Sequence, residues 1–393
     1  MTAPVQRLAV VVSHPIQYYA PWFRWMTAQG WTLRVFYLRD AGVVAHKDRE
    51  FGRQIAWDTD LLSGYEAEFV PNVARDPGTH HFCGLNNPEL GPRLRAWRPD
   101  AVLLFGYNYI THLRLLLAPP APLIFRGDSH LLDAPTPRFL KRWALRLVYG
   151  RCAAITYVGQ ANLDYFRAFG VPPEKLFHAP HCVDADHFCA TAETRACVET
   201  LRASLGLQGK RIVLFAGKLI PKKRPIELLQ AFFALADKSA ALVFVGDGSE
   251  LPALQNLAAS RTDLCVRFMP FANQSEMPSR YLLADVFVLP SGGPEETWGL
   301  AVNEAMHLGV PCLVSDRVGC QRDLVTDGET GWVFPVGDDT VLRTELERAL
   351  ADTARDAAGF RSRVTSRIAG YTYASATDGL ARAVQSLPLP RVV

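Results

Sequence analysis

The sequence has little that would place it in a membrane, in an oxidising compartment or on nucleic acid. It has no run of about eighteen uncharged apolar residues, so no membrane-spanning helix is predicted. A net charge of +3 over 393 residues is too small for dedicated nucleic-acid binding. The first residues, MTAPVQRLAVVVSHP, lack the charged start and long apolar run of a secretory signal. These absences favour a cytoplasmic protein.

Metal and disulfide signatures are also missing. The 8 cysteines are scattered without a C-x-x-C pair or zinc-finger spacing, and we expect free thiols. Two histidine pairs, His80 with His81 and His178 with His181, have no third ligand nearby in the sequence. A zinc site needs more ligands than that, so no metal site is predicted.

What the sequence does contain is an alternation of short apolar runs with amphipathic helical patterns, typical of a parallel sheet with crossover helices. A first series of buried strands is predicted at 7–13, 33–38, 101–106, 122–127 and 153–159. A second series is predicted at 211–217, 240–246, 264–269, 286–290 and 311–315.

The two series predict two α/β domains. Residues 180–210 lack a strand-like run and resemble a connection with one helix, so we place the boundary near residue 188. The last helical pattern, 373–387, has no following strand and could lie on either domain. In open α/β sheets the functional crevice lies at the carboxyl ends of the strands, which directs attention to the residues after each strand.

A basic turn follows the strand at 211–217. Lys218, Lys222, Lys223 and Arg224 precede a helical segment whose free N–H groups favour anions. A phosphate is one candidate ligand for this turn. A solvated basic rim is the other interpretation.

The stretch EETWGLAVNEAM carries two glutamates in otherwise apolar surroundings. We expect a helix from about Trp298, which places Glu296 before it and Glu304 about two turns inside. A buried carboxylate needs strong hydrogen bonds, either from a vicinal diol such as a ribose or from a neighbouring Arg or Lys. The backbone N–H groups of Gly299 and Leu300 could contact a phosphate.

Candidates in the first half follow two strands. His14 and Gln17 come after 7–13, where they either face the cleft or, for His14, cap the next helix. Arg126, Asp128 and His130 concentrate both charge signs in one loop. All are candidates for contact with a substrate at the cleft.

Residues 138–151 form a basic amphipathic pattern with apolar residues between the arginines and lysines. Such a helix can lie on an anionic membrane. An ordinary outer helix is the simpler interpretation and the one we favour.

These segments together resemble the GT4-type retaining glycosyltransferases of the GT-B fold. The likeness covers residues 150–345 well and the first 120 residues weakly. It rests on Gly217-Lys218-Leu219-Ile220-Pro221-Lys222-Lys223, Gly246-Asp247-Gly248, Glu296 with Glu304, TDGETGWVFPVGD (326–338) and HCVDADHF (181–188).

The resemblance implies two Rossmann-like domains facing across a cleft. The acceptor-binding domain would be 1–188 and the nucleotide-sugar-binding domain 189–370. The helix and tail at 371–393 would cross back to the first domain.

The resemblance also implies roles for residues. Lys218 and Lys223 would hold the diphosphate without a metal, which is transition-state electrostatics. Glu296 would bind the donor sugar and Glu304 the ribose, while Asp128 is the first-domain candidate for a catalytic role. The backbone of Gly299 and Leu300 would contact the donor, and the turn at Phe271 would lie near the base.

Three departures from the family pattern limit this transfer. Lys218 stands where the family more often has Arg, so the bidentate hydrogen bonding of a guanidinium group is lost. Residues 319–323 differ from the usual G-G-x-P-E. The glycine-rich first loop is replaced by Ser13-His14-Pro15-Ile16-Gln17-Tyr18-Tyr19, so acceptor recognition cannot be transferred.

The leading hypothesis is a metal-independent hexosyltransferase with no cofactor beyond a nucleotide-diphosphate sugar. Its acceptor would be a glycan, a lipid-linked sugar or a small molecule, reached with peripheral contact to the inner face of a membrane through 138–151. A nucleotide-sugar 2-epimerase shares the domain plan and needs no acceptor. A non-catalytic sensor would bind the nucleotide-sugar without transferring the sugar.

Overall fold

The computed structural model describes residues 7–43, 46–47, 54–55, 57–132, 139–293 and 296–387. The strands are β1 Leu8–Val12, β2 Leu33–Tyr37, β3 His46–Lys47, β4 Gln54–Ile55, β5 Glu66–Phe69, β6 Ala101–Phe105, β7 Leu123–Arg126, β8 Ala154–Tyr157, β9 Leu176–His178, β10 Arg211–Ala216, β11 Ala240–Val245, β12 Cys265–Met269, β13 Val286–Leu289, β14 Cys312–Ser315 and β15 Gly331–Phe334.

The α-helices cover these sheets and connect their strands. They are α1 Ala20–Ala28, α2 Leu90–Trp97, α3 Ile110–Leu117, α4 Phe139–Gly150, α5 Gln160–Ala168, α6 Ala192–Ser204, α7 Pro225–Leu235, α8 Leu251–Ala259, α9 Met277–Leu282, α10 Leu300–His307, α11 Gln321–Leu324, α12 Asp339–Ile368 and α13 Tyr373–Gln385.

Two parallel sheets organise the chain. One has seven strands in the order β5-β2-β1-β6-β7-β8-β9, and the other has six in the order β12-β11-β10-β13-β14-β15. Central strands such as β1 and β11 are buried along their whole length. Helices on both faces of a parallel sheet require such continuous apolar runs. The prediction of two Rossmann-like domains is confirmed.

All ten strands predicted from the sequence are present with ends shifted by one or two residues. Three strands of the sheets were missed, namely β5, β9 and β15. The edge strand β5 has the sequence EAEF and is largely exposed, so it carries no apolar run. The short antiparallel pair of β3 and β4 was also missed.

The C-terminal helix returns to the first sheet, as the resemblance implied. Helix α13 packs against β8, β9 and α1, and Trp22 Nε1 donates a 2.9 Å hydrogen bond to Thr377 Oγ1. A Cβ atom at Gly379 would lie 1.8 Å from the carbonyl oxygen of His178. The helix therefore approaches the end of β9 closely enough to require a glycine.

All eight cysteines are free thiols, as expected from their scattered positions. Over the described ranges, no helix combines the length and the apolar character needed to cross a bilayer.

Candidate functional site

A cavity of about 400 Å³ lies between the carboxyl ends of the two sheets, where the topology of open α/β sheets predicts a ligand site. The first domain contributes Gln17, Tyr18, Tyr19, Trp57, Asp128 and His181 to its lining. The second contributes Ala216, Gly217, Lys218, Lys222, Lys223, Val245, Gly246, Phe271, Ala272, Gln274, Met277, Tyr281, Gly293, Glu296, Thr297, Trp298, Gly299, Leu300, Ala301 and Glu304.

Three lysines face this cavity from the turn after β10. Lys218 follows the strand directly, and Lys222 and Lys223 belong to a 3-10 turn that leads into α7. A Cβ atom at Gly246 would lie only 1.9 Å from the carbonyl oxygen of Gly217, so the loops after β10 and β11 are in backbone contact. This wall of the cavity is positively charged, and it can bind phosphate groups.

Glu296 lies directly against this positive wall. Its Oε2 forms an ion pair with Lys223 Nζ and accepts a 2.7 Å hydrogen bond from Ser291 Oγ. His130 Nδ1 accepts from the backbone N–H of Leu132, which leaves Nε2 to donate to the carbonyl oxygen of Glu296 at 3.2 Å. The Glu296 segment is thus fixed from both domains.

Glu304 occupies the interior of the second domain and is 2% exposed. The Tyr281 hydroxyl donates a 2.6 Å hydrogen bond to its Oε2, while its Oε1 has no hydrogen-bond partner within the described part of the chain. Burial raises the pKa of Glu304 to about 7, against the opposing effect of the Tyr281 hydrogen bond and of the nearby polar side chains of Tyr18 and Gln274. A buried acceptor with an open oxygen suits a ligand hydroxyl.

One expectation about this segment needs correction, and one alternative can be decided. Helix α10 begins at Leu300, two residues later than expected, because Gly299 adopts a φ of 97°, which lies outside the right-handed helical region. Glu304 is therefore about one turn inside the helix. The alternative left open for Glu304, a salt bridge to Arg or Lys, is not found among the described residues, where Tyr281 is the hydrogen-bond donor instead.

Asp128 follows β7 and meets the second domain across the cavity. Thr297 Oγ1 donates a 2.8 Å hydrogen bond to Asp128 Oδ2, and His181 Nε2 lies 3.5 Å from the same oxygen. Burial alone would raise the pKa of Asp128, but the interactions with His181 and Thr297 outweigh it and lower the pKa. Burial lowers the pKa of His181, so an ionised carboxylate faces a neutral imidazole.

Helix α10 is held against the first domain by a hydrogen bond from Asn303, whose side chain is oriented by a second bond within its own domain. Trp298 Nε1 donates to Asn303 Oδ1 at 2.8 Å, and Asn303 Nδ2 donates to the carbonyl oxygen of His181 at 3.1 Å. Gly299 and Leu300, the sequence candidates for backbone contacts, both line the cavity. The N-terminus of α10 therefore points into the cavity from a rigid support.

The cleft candidates of the first domain separate into two groups. Gln17 and Asp128 line the main cavity. Arg126 instead donates from Nη1 and Nη2 to the carbonyl oxygens of Ala179 and Pro180, at 2.9 and 3.3 Å, so it mainly fixes the chain after β9.

The remaining two histidine candidates do not point into the main cavity. His130 acts on the Glu296 backbone instead. His14 Nδ1 lies 2.9 Å from Ser13 Oγ, and His14 is not among the residues that line the main cavity.

Several cavity residues were missed by the sequence analysis. The signal for His181 was available, because it opens the HCVDADHF segment on which the resemblance partly rests. Tyr18 lay in the unusual first loop. Tyr281 and Gln274 had no local signal, since their role depends on the packing of α9 against α10. Phe271, which was predicted, lies 6.1 Å from the ring of Trp57 at the cavity lining.

The statement that His80 and His81 have no nearby third ligand was wrong. Asp76 lies four residues before His80, and its Oδ2 is 3.0 Å from His80 Nε2 and 3.4 Å from His81 Nε2. These side chains are well exposed, and they form ion pairs and hydrogen bonds with one another. They lie outside the residues that form the cavity lining.

Comparisons with known proteins agree with this architecture. The profile of the family described as glycosyl transferases group 1 matches residues 198–365. A GDP-mannose-dependent alpha-(1-6)-phosphatidylinositol monomannoside mannosyltransferase of Mycolicibacterium smegmatis is 32% identical over 228 residues, which are 55% of this chain and 58% of that protein. A GDP-mannose-dependent alpha-mannosyltransferase of Mycobacterium tuberculosis is 32% identical over 289 residues, 71% of this chain and 71% of that protein.

A solved structure shows the same fold. HepE of Anabaena, determined in complex with UDP, has a TM-score of 0.71 to this chain at 16% identity, covering 97% of this chain and 100% of HepE. The chain spans 58% and 71% of the lengths of the two mannosyltransferases above. It belongs to the group 1 glycosyltransferases and has their GT-B fold.

Proposed function

We propose that this chain is a retaining hexosyltransferase that uses a nucleotide-diphosphate sugar and needs no metal. The observation that carries the proposal is the arrangement of one cavity, in which Lys218 and Lys223 face it from one loop and the buried Glu304 faces it from α10. Cations suited to a diphosphate and a carboxylate suited to a diol thus share one site.

Each part of the donor has a partner in this arrangement. The diphosphate binds the lysines and the N-terminal N–H groups of α10 at Gly299 and Leu300. The ribose hydroxyls donate to Glu304, whose Oε1 is open. Glu296 accepts hydrogen bonds from the donor sugar.

Two further parts of the proposal are the position of the base and the absence of a requirement for a divalent cation. The base lies beside Phe271 and Trp57, whose rings are 6.1 Å apart. The charge of the lysine turn replaces that of a divalent cation, so a chelator should leave the transfer rate unchanged.

The chemistry consists of one exchange at the anomeric carbon. The bond from this carbon to the diphosphate oxygen breaks, and the acceptor oxygen forms a new bond on the same face. The acceptor proton passes to the departing phosphate oxygen. Lys218 and Lys223 stabilise the charge that grows on this oxygen, which is the largest contribution the protein makes. No protein nucleophile is required.

The first test is a screen of thermal stability with UDP, GDP, ADP and their sugars. A ligand that binds only the folded state raises the melting temperature. GDP-mannose is the first donor to try because the names of two relatives specify it. UDP-glucose is the second, since HepE has also been solved in complex with it.

The same reaction distinguishes the alternatives. NMR of the product must show the donor's anomeric configuration, with and without a chelator. An epimerase would convert the donor without an acceptor, and a sensor would neither transfer nor hydrolyse it.

We further propose a peripheral contact with the inner face of a membrane through α4, with the rest of the enzyme in the cytoplasm. Its apolar side chains are exposed to an unusual degree for a soluble helix, and basic residues lie between them. They are Phe139 81%, Leu140 76%, Trp143 57% and Leu147 50% exposed. Lys141 and Arg146 are exposed on the same helix. Arg138, the first residue of the predicted segment, lies outside the described residues.

An ordinary outer helix, the interpretation that we favoured, buries its apolar face. Helix α4 buries Leu145 and Tyr149 in this way but leaves the four apolar residues above exposed. Apolar and basic side chains together match an anionic bilayer surface. Co-sedimentation with vesicles containing phosphatidylglycerol should exceed that with pure phosphatidylcholine. Replacing Phe139 and Trp143 by Ser should abolish it. Binding that persists in this variant, or self-association through α4 in solution, would contradict the proposal.

A further inference from the structure

We propose that a second cavity, next to the donor site, is the acceptor subsite and that it takes one uncharged hydroxylated ring, such as a terminal monosaccharide or a cyclic polyol. This inference rests on the proposed transferase function. It adds the location and the chemical class of the acceptor.

The second cavity lies at the carboxyl ends of β1, β6 and β7 in the first domain. Its volume is about 190 Å³. It is smaller than the donor cavity, which has a volume of about 400 Å³. Three residues line both cavities, namely Tyr19, Asp128 and His181. A ring in the smaller cavity therefore lies next to the donor.

Buried polar atoms in this cavity lack protein partners. His112 is 1% exposed, and neither of its ring nitrogens has a hydrogen-bond partner in the described chain. Arg126 also lines this cavity, and its Nε atom likewise has no hydrogen-bond partner in the described chain. Burial lowers the pKa of His112 to about 3, so the ring is neutral and offers one donor and one acceptor.

Buried polar groups in folded proteins nearly always have a partner, so these atoms indicate a ligand. A hydroxyl can donate as well as accept, and it matches a neutral imidazole on either nitrogen. The backbone at Gly106, with a φ of 81°, passes beside His112 without a side chain, which keeps the approach open.

The charges of the lining favour a neutral ligand. Among the residues that form it, Arg126 and Asp128 are the charged ones and have opposite signs. The Arg126 guanidinium already donates to two carbonyl oxygens. The lysine wall of the donor cavity has no counterpart here, so a phosphorylated ring would lack counter-charges. Phe105, Tyr109 and Tyr19 supply aromatic surface for the apolar face of a ring.

Asp128 connects the two cavities. Its side chain is 38% exposed and already holds Thr297 of the second domain. A ring bound beside His112 brings a hydroxyl towards this carboxylate. Asp128 then accepts the hydrogen bond of the attacking hydroxyl and orients its oxygen towards the donor cavity.

The test measures the binding of small rings by ligand-detected NMR to protein saturated with the nucleotide that stabilises it most. The neutral probes are the methyl α-glycosides of glucose, mannose and galactose, and myo-inositol. The charged probes are glucose 6-phosphate and mannose 6-phosphate. His112→Phe removes both ring nitrogens and keeps the shape, and Asn108→Trp fills the cavity from an exposed position. Leu117→Ala, on the exposed far end of α3, is the control.

We expect at least one neutral ring to bind the wild type more tightly than either sugar phosphate. Both variants should weaken its binding by about tenfold or more. Nucleotide affinity should be unchanged, and the melting temperature of His112→Phe without ligand should not fall, because the histidine nitrogens have no protein partner to lose.

Three results would overturn the inference: no neutral ring binds the wild type, the sugar phosphates bind better, or both variants bind like the wild type. If no nucleotide stabilises the wild type, the proposed function itself fails. This outcome can be told apart from the other three, because those are measured on protein saturated with nucleotide.

Discussion

The hydroxyl of Tyr281 donates a 2.6 Å hydrogen bond to Oε2 of Glu304, and the two side chains are almost completely buried. Burial holds the pKa of Glu304 near 7, so the carboxyl group is about half ionised at neutral pH before any ligand arrives. Since ligand hydroxyls favour the ionised form, the protonation of one residue is coupled to binding of the donor.

Donor affinity should depend on pH through Glu304. Below about pH 7, ionising Glu304 for the ligand requires release of a proton, so affinity should rise by about tenfold per pH unit and level off above pH 7. Calorimetric titration with an intact nucleotide-sugar is the measurement, because its diphosphate has no group that titrates near neutral pH. Glu304→Gln is the control and should bind weakly at every pH. A wild-type affinity that does not change with pH would contradict this assignment.

The same group should limit stability at high pH. The folded pKa of Glu304 is about 7 against an ordinary value of 4.5, so its favourable contribution is complete below pH 4.5 and is lost as pH rises through 7. Glu304→Gln keeps an acceptor for Tyr281, so it should raise the free energy of unfolding at pH 8 by about 2–4 kcal/mol and have little effect near pH 4.5. Urea denaturation at both pH values tests this, with the exposed Glu347→Gln as control. Equal stability of wild type and Glu304→Gln at pH 8 would argue against a buried, proton-binding carboxyl.

The predictable part of this molecule is the part that local sequence determines. Strands such as β11 are continuous apolar runs, and the basic turn at Lys218 follows such a run directly. Strand β5 could not be predicted from the sequence, because an exposed edge strand needs no apolar run. Strand β9 could not be predicted because it has only three residues. Helix α10 was found, but its first residue depends on the positive φ of Gly299.

The site was less predictable because its contacts join distant segments. Asp128, Thr297 and His181 converge only when the two domains face each other. Arg126 has the chemistry of a substrate-binding residue, yet its guanidinium is used by the carbonyl groups after β9. No spacing pattern in the sequence distinguishes an arginine that binds substrate from one that binds backbone carbonyl groups.

Lys223→Ala should slow transfer by about 10²–10³ in kcat, the loss typical of one transition-state stabiliser, and should weaken nucleotide binding much less. The variant also leaves the Glu296 carboxylate, 11% exposed, without its ion-pair partner. Steady-state kinetics together with nucleotide titration separate the two effects. Lys222→Ala, on the same turn, is the matched control with a smaller expected loss. Equal losses in both variants would mean that the turn acts only through its total charge.

Arg126→Met should lower the free energy of unfolding by about 2–4 kcal/mol, because two buried carbonyl groups lose their donors. Arg142→Met is the control, since Arg142 donates one 3.1 Å bond to Ala168 from a partly exposed position on α4. Chemical denaturation of both variants is the measurement. If the two variants have the same free energy of unfolding, Arg126 has no structural role, and it becomes a candidate for substrate binding again.

The most direct test of the whole account is a crystal structure of the enzyme with its intact nucleotide-sugar. The diphosphate should lie within hydrogen-bond distance of Lys218 and Lys223, a ribose hydroxyl should bind Glu304 Oε1, and the sugar should lie between Glu296 and Asp128. A nucleotide bound outside this cavity, with Glu304 contacted only by Tyr281 and the lysine turn facing solvent, would contradict it.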